Sequence, residues 1–273
     1  LFNNGIANTV TNVPTQTIGQ LLVGGNTTVN LQGVAGGNIL TIGGLLLPGD
    51  DLEVAAGSSL NINGINATTI TLGATATGVI TGNMTFSSEQ HRLDAFNANS
   101  INFNSPAVFT QDAGCIGNVF TATGTLNAIV FNTGTTFVQN TGANPFGLAL
   151  PDSKVIFNTG SLFKMQHNSA LALVGRTYAN LEIDAALFNQ SPIGSTNPFT
   201  VDNLTVTLGT FNLNLTGGIN IKGNISVAAG QTLTFNPASA NTVTFNGTTA
   251  QSISNAGTLT FGSNEAVTLN NAA

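Results

Sequence analysis

Val130–Phe137 reads VFNTGTTF, and Ile156–Phe163, 26 residues further on, reads IFNTGSLF. Each copy places apolar residues in short alternation on both sides of an Asn-Thr-Gly corner, the pattern of two half-buried strands joined by a turn. An interval of this size is near one coil of a β-solenoid, where equivalent strands stack in parallel at about 4.8 Å and no coil can bury its apolar face alone. Asn132 then lies beneath Asn158, and stacked amides can hydrogen-bond from coil to coil as in cross-β ladders. Gly134 and Gly160 suit the left-handed backbone of such a corner.

A second pair lies further apart. Leu52–Asn63 reads LEVAAGSSLNIN and Ile225–Asn236 reads ISVAAGQTLTFN. Read as strand, turn, strand, these segments put Val54, Leu60 and Ile62, and likewise Val227, Leu233 and Phe235, into the core, with Gly57 and Gly230 at the turns. Short alternating runs of the same kind recur along the chain, from Val29/Leu31 to Val267/Leu269, separated by Gly and Asn. The fold expected is all-β: one elongated parallel β-solenoid segment (a β-helix) over residues 1–273, with coils of roughly 20–26 residues. A β-sandwich, or a string of sandwich domains, is the alternative. Against it stand the scarcity of Pro-bounded hairpin signals and the lack of a linker or a break in composition.

Composition narrows the function classes. Only 6 % of the 273 residues are charged, where an average domain carries about 25 %, so Asn, Thr, Ser and Gly must cover the surface. The residues that favour helices, Glu, Lys, Arg, Gln and Met, are scarce. Five Lys and Arg in a chain of net charge −6 cannot displace the counterions of a nucleic acid, and with no Trp and one Tyr, Tyr178, platforms for stacking bases are lacking. No apolar run approaches the ~18 residues of a membrane helix, so no membrane insertion is expected. A lone cysteine, Cys115, excludes an internal disulfide and multi-cysteine metal sites. The chain opens at Leu1 without Met or a signal peptide, so it is expected to be a mature product or a piece of something longer.

The stretches TVNLQGVAGGNILTIGG, LEVAAGSSLNING, GANPFGLALPDSKVIFNTGSLF, GRTYANLEID and INIKGNISVAAGQTLTFNPASANTVTFNGTTAQSISNAGTLTF resemble the large secreted surface proteins of Bacteroidota, repetitive chains many of which leave the cell by the type IX system. The resemblance spans nearly the whole chain and rests on repeat style, with no catalytic signature. It implies an extracellular, cell-surface β-solenoid segment of an adhesin or filament. The sorting domain of such proteins is not visible, and export by that route is implied by kinship alone.

Candidate chemical groups are few. Asp50, Asp51 and Glu53 in LPGDDLE place three carboxylates within four residues, which reads either as a solvated turn or as oxygen ligands for Ca²⁺. Glu182 and Asp184 alternate with Leu181 and Ile183, so both face outward at the spacing of about 7 Å that glycoside hydrolysis uses; same-face carboxylates are also common without catalysis. Glu89–Asp94, EQHRLD, is the one cluster that mixes acid, His and Arg. His91 there has a pKa suited to acid–base work, or marks a polar corner where the chain bends. His167 reads as a surface residue and Cys115 as a core thiol. The nucleophile elbow, the zinc-protease signature, the phosphate-binding loop and the dinucleotide fingerprint are absent. Eight Asn-x-Ser/Thr sequons, at Asn26, Asn66, Asn83, Asn189, Asn203, Asn214, Asn224 and Asn246, are what so much Asn and Thr produces by chance.

Three functions compete. The leading one is a structural or adhesive segment of a surface protein, a stiff repeat scaffold with no catalytic, cofactor or metal residues and no enzymatic activity. Its expected partners are neighbouring coils or identical subunits end to end, because LFNNGIANTV and AVTLNNAA at the two ends lack a cap; surface glycans are a further candidate partner. A carbohydrate-active β-helix enzyme or glycan-binding module is the second; an enzyme of this kind needs acids and bases converging on a groove. The third is an ice-binding face built from pairs such as Thr69/Thr71, Thr205/Thr207 and Thr242/Thr244, which needs Thr in register on successive coils.

Overall fold

A computed structural model describes residues 1–44, 49–121, 123–142, 144–147, 153–169, 171–190, 197–236 and 240–272. Among them every element is a strand, and every strand pairing is parallel. The protein is a β-solenoid. Parallel pairing excludes the sandwich, whose sheets are built from antiparallel neighbours. The residues fall into two compact units, Leu1–Leu148 with Asp152–Asn158, and Ala149–Pro151 with Thr159–Ala273.

In the first unit the chain visits three faces in turn. The first face stacks Ala7–Val13, Thr28–Gly33, Ser59–Ile62, Asn83–Phe86, Val108–Gln111 and Thr136–Gln139. The second stacks Gln16–Ile18, Asn38–Ile42, Thr68–Leu72 and Arg92–Ala95. The third stacks Leu21–Val23, Leu52–Val54, Gly78–Ile80, Ile101–Phe103, Ile129–Phe131 and Val155–Phe157. In the second unit, Phe199–Leu213 runs through a whole coil. Ile219–Ile221, Ile225–Val227 and Thr232–Phe235 each pair with one third of it, and Asn241–Phe245, Ile253–Asn255 and Thr258–Phe261 stack on those three in turn.

The register of the middle repeat is the one read from sequence: Val130 pairs with Ile156 and Phe131 with Phe157. The amide ladder forms, with Asn158 Nδ2 donating to Asn132 Oδ1 at 2.7 Å. It extends one coil further, since Asn132 Nδ2 donates to Asn104 Oδ1 at 2.8 Å. Coil length is more variable than expected. Lys164 and Glu182, 18 residues apart, occupy neighbouring coils, as do Asn30 and Asn61, 31 apart. The strands keep their register because the corner segments absorb the difference.

All six core positions inferred from the VAAG twins are buried, and the turns match in detail. Ser58 N donates to Ala55 O, as Gln231 N does to Ala228 O; Gly57 and Gly230 take φ of 79° and 77°. The next coil then lays a glycine directly over each turn. A Cβ on Gly82 would sit 2.4 Å from both Ala55 O and Ser58 O, and one on Gly257 would sit 2.3 and 2.4 Å from Ala228 O and Gln231 O. Within the core, register brings like rings together: Phe131 stacks on Phe103 at 4.5 Å and on Phe157 at 5.0 Å, and Phe235 stacks on Phe261 at 5.0 Å. These separations are close to the strand spacing of about 4.8 Å that generates them.

Candidate functional site

The acidic turn does not gather its carboxylates. Asp51 is buried and its Oδ2 accepts from Thr77 N at 3.1 Å, while Asp50 Oδ1 accepts from Thr77 Oγ1 at 3.0 Å. Glu53 points outward from the strand Leu52–Val54. The two aspartates tie one corner to the coil above it. Among the described residues no three His, Cys, Asp or Glu side chains come close enough to hold a metal ion.

Glu182 and Asp184 do share an outward face, and the register sets Lys164 against them. Lys164 Nζ lies 2.8 Å from Asp184 Oδ2 and 3.4 Å from Glu182 Oε1. Gln166 Nε2 donates to Asp184 at 2.9 Å, and Thr207 Oγ1 to Glu182 at 2.9 Å. Desolvation pushes the Asp184 carboxyl up, but the hydrogen bonds from Lys164 and Gln166 and the charge of Lys164 outweigh it and hold the group below its usual range. The Asp184 bond likewise raises Lys164. Such a carboxylate is a good ion-pair partner and a poor proton donor at neutral pH. Lys164 could have been found by laying FKMQ (Phe163–Gln166) on LEID (Leu181–Asp184).

The EQHRLD cluster fans apart. Arg92 Nη2 donates to Gln90 Oε1 at 2.7 Å, and Glu89 Oε1 accepts from Gln90 N. Asp94 meets Lys154, whose side chain is fully buried and whose Nζ also meets Thr121 Oγ1 and donates to Thr123 O at 3.0 Å. The chain does bend at this corner, where His91 N donates to Glu89 O at 2.8 Å, but the His91 side chain is completely buried. Thr68 N donates to its Nδ1 at 3.1 Å. That nitrogen is therefore unprotonated, and Nε2 carries the hydrogen that it gives to Gly64 O at 3.1 Å. Burial lowers the His91 pKa, so the ring is a neutral strut. His167 is exposed, with Nδ1 2.6 Å from Ser169 Oγ. Cys115 is buried, and desolvation pushes its thiol up to about 11, far from the thiolate that nucleophilic chemistry needs.

The feature most like a binding site lies above the strut. Val10 pairs with Leu31 and Val13 with Gly33, so Thr11 and Asn12 together stand opposite Gln32. This β-bulge bends the strand outward, and Asn12 takes a left-handed φ of 55° within it. Thr11 and Asn12 of the bulge line a cleft of about 290 Å³ together with Gln32, Asn63, Ile65 and Asn66, and the buried glycines Gly33 and Gly64 form its floor. Gln32 Nε2 donates to Asn63 Oδ1 at 3.2 Å, and Asn66 Nδ2 to Gly33 O at 3.1 Å. His91, through Gly64 O, braces the floor from inside. The alternation of Leu93 and Ala95, both inward, places His91 inward too; the bulge has no such signal.

Thr17, Thr41 and Thr71 stack in register up to Asp94, and the pair Thr232/Thr234 stacks on Thr258 and Thr260 but on Thr210 and Asn212 on its other side. Comparison with protein-family models, with curated proteins and with solved structures finds no match.

Proposed function

We propose that this chain is a structural, adhesive segment of an extracellular bacterial surface protein or filament, a stiff scaffold of stacked coils. The observation that supports this most is where the polar side chains go. The amides of Asn104, Asn132 and Asn158 bond along the stack, as do those of Asn30 and Asn61 and of Asn180 and Asn203. The charged groups Lys154, Asp94, Lys164 and Asp184 pair between coils. These groups are committed to holding coil to coil and do not converge on a reacting centre. Location at the cell surface and type IX export are part of this proposal and rest on the repeat style quoted above alone.

The partners we propose are neighbouring coils or identical subunits, joined by the same parallel pairing that joins the described coils to one another. The test is a turnover screen of the purified chain against polysaccharides, esters and peptides, beside electron microscopy of the native product. Stacked-coil filaments or fibrous surface layers without turnover are the expected result. Hydrolysis or elimination lost on Glu182→Gln, Asp184→Asn or His91→Phe would overturn the scaffold reading.

A further inference from the structure

We infer that the cleft between the Thr11–Asn12 bulge and the Asn63–Asn66 corner is a binding site for a single unit of a neutral saccharide. The inference deepens the adhesive part of the scaffold reading by naming what the surface would hold.

The chemistry of the lining selects the ligand. None of the eight residues around the cleft is charged, so no opposite charge is offered there to a phosphate, a sulfate, a uronic acid or an ammonium group. What the walls offer is amide: Asn12, Gln32, Asn63 and Asn66, with the hydroxyl of Thr11. A carboxamide carries donors and an acceptor on one planar group and so matches a pair of neighbouring sugar hydroxyls, each of which also donates and accepts. Part of this capacity is already used inside the protein, by Gln32 to Asn63 and by Asn66 to Gly33. Those bonds fix the amide planes in advance and lower the cost of ordering them on binding. Gln32 and Asn66 are half-buried and Asn12 is exposed, so part of each amide stays accessible.

Ile65 supplies the apolar element. It is 82 % exposed on the rim, where a branched side chain can pack against the C–H face of a pyranose. At about 290 Å³ the cleft lies near the lower limit of ligand pockets, about 300–1,000 Å³, which fits one ring and not an extended chain. The floor is rigid for an identifiable reason. A Cβ on Gly64 would lie 2.9 Å from Gln32 Cα, so backbone meets backbone there, and His91 holds Gly64 O from the interior.

The experiment applies the whole chain to an array of uncharged hexose and N-acetylhexosamine oligosaccharides, with sialylated and sulfated sugars alongside, and follows hits by NMR titration. Binding to at least one neutral sugar is expected, with Kd on the order of 1 mM, or about 4 kcal/mol. Ile65→Asp and Asn12→Ala, both at exposed positions, should weaken it tenfold or more. Ile116→Asp, at an exposed position outside the cleft, should leave it unchanged. Retention of no neutral sugar, preference for the charged ones, or undiminished binding by Ile65→Asp would overturn the assignment. None of these outcomes touches the scaffold reading, which stands or falls on turnover and assembly.

Discussion

Replacing Phe131 by Ala removes the centre of an aromatic column. The ring is fully buried, lies between Phe103 at 4.5 Å and 4° and Phe157 at 5.0 Å and 13°, and is met edge-on by Phe120 and Phe137. Truncating a buried Phe to Ala costs about 3–5 kcal/mol through lost transfer energy and the cavity left behind. Each well-placed aromatic pair adds about 0.5–1.5 kcal/mol beyond its area. Two stacked and two edge contacts put Phe131→Ala at the top of the range, about 4–5 kcal/mol. Phe131→Leu keeps most of the apolar volume and loses the ring contacts, so about 1–3 kcal/mol is expected. Urea unfolding followed by far-UV circular dichroism gives both values. Native-state hydrogen exchange at the amides of Asn132 and Asn158, which donate to Phe103 O and Phe131 O, reports whether the loss is local. Equal costs for Ala and Leu, or a cost below about 1.5 kcal/mol for Ala, would refute the argument that stacked rings hold these coils together.

Asp94→Ala leaves the buried Lys154 ammonium with only Thr121 and Thr123 and should cost about 3–5 kcal/mol in urea unfolding. Lys154→Met should cost less, because Asp94 reaches solvent and can be hydrated; the reverse order would contradict the assignment of Lys154 as the group that needs its partner. His91 is neutral in the fold with its pKa lowered from 6.5, so the unfolded chain takes up the proton first as pH falls. The stability it protects is complete above about pH 6.5 and declines below that value as pH drops toward the folded pKa. Urea midpoints at pH 8 and pH 5 should diverge in the native protein and much less in His91→Phe. Gly82→Ala and Gly257→Ala each press a methyl onto two carbonyl oxygens and should cost a similar 1–3 kcal/mol, roughly the penalty of overpacking. At Gly230 a methyl meets nothing, so Gly230→Ala should cost only the left-handed backbone penalty of about 1–2 kcal/mol; thermal melts of the three variants decide it.

Those glycines also mark how far sequence reading reached. Val54, Leu60, Val227 and Leu233 were legible because a core position repeats its residue type in every coil. The Asn132–Asn158 rung was legible because the corner repeats Asn-Thr-Gly. The second rung, Asn104–Asn132, was hidden: INFNSPAVF (Ile101–Phe109) aligns with the two quoted copies, but Ser105-Pro106 stands where they have Thr-Gly. Lys164 beside Glu182 and Asp184 could be read only with the 18-residue offset of that coil in hand, and the pairing of Lys154 with Asp94 across 60 residues was not visible, because contacts between coils depend on offsets that vary from coil to coil. For the same reason the cleft was missed. It is made by a bulge, an interruption of the alternation, and a reading that depends on alternation has no term for one.

The unequal coils have a practical consequence. A coil of 18 residues and one of 31 present the same ladder to their neighbours, so the corners are positions where the chain can be lengthened without disturbing anything it stacks on. A peptide tag, a protease site or a foreign loop inserted at an exposed corner such as Gly36-Gly37, where added atoms meet little or nothing at Gly36, should be carried as a passenger. Repeated along the stack, such inserts would stand out from the framework at intervals set by the coil spacing, which makes the molecule a natural rack for display.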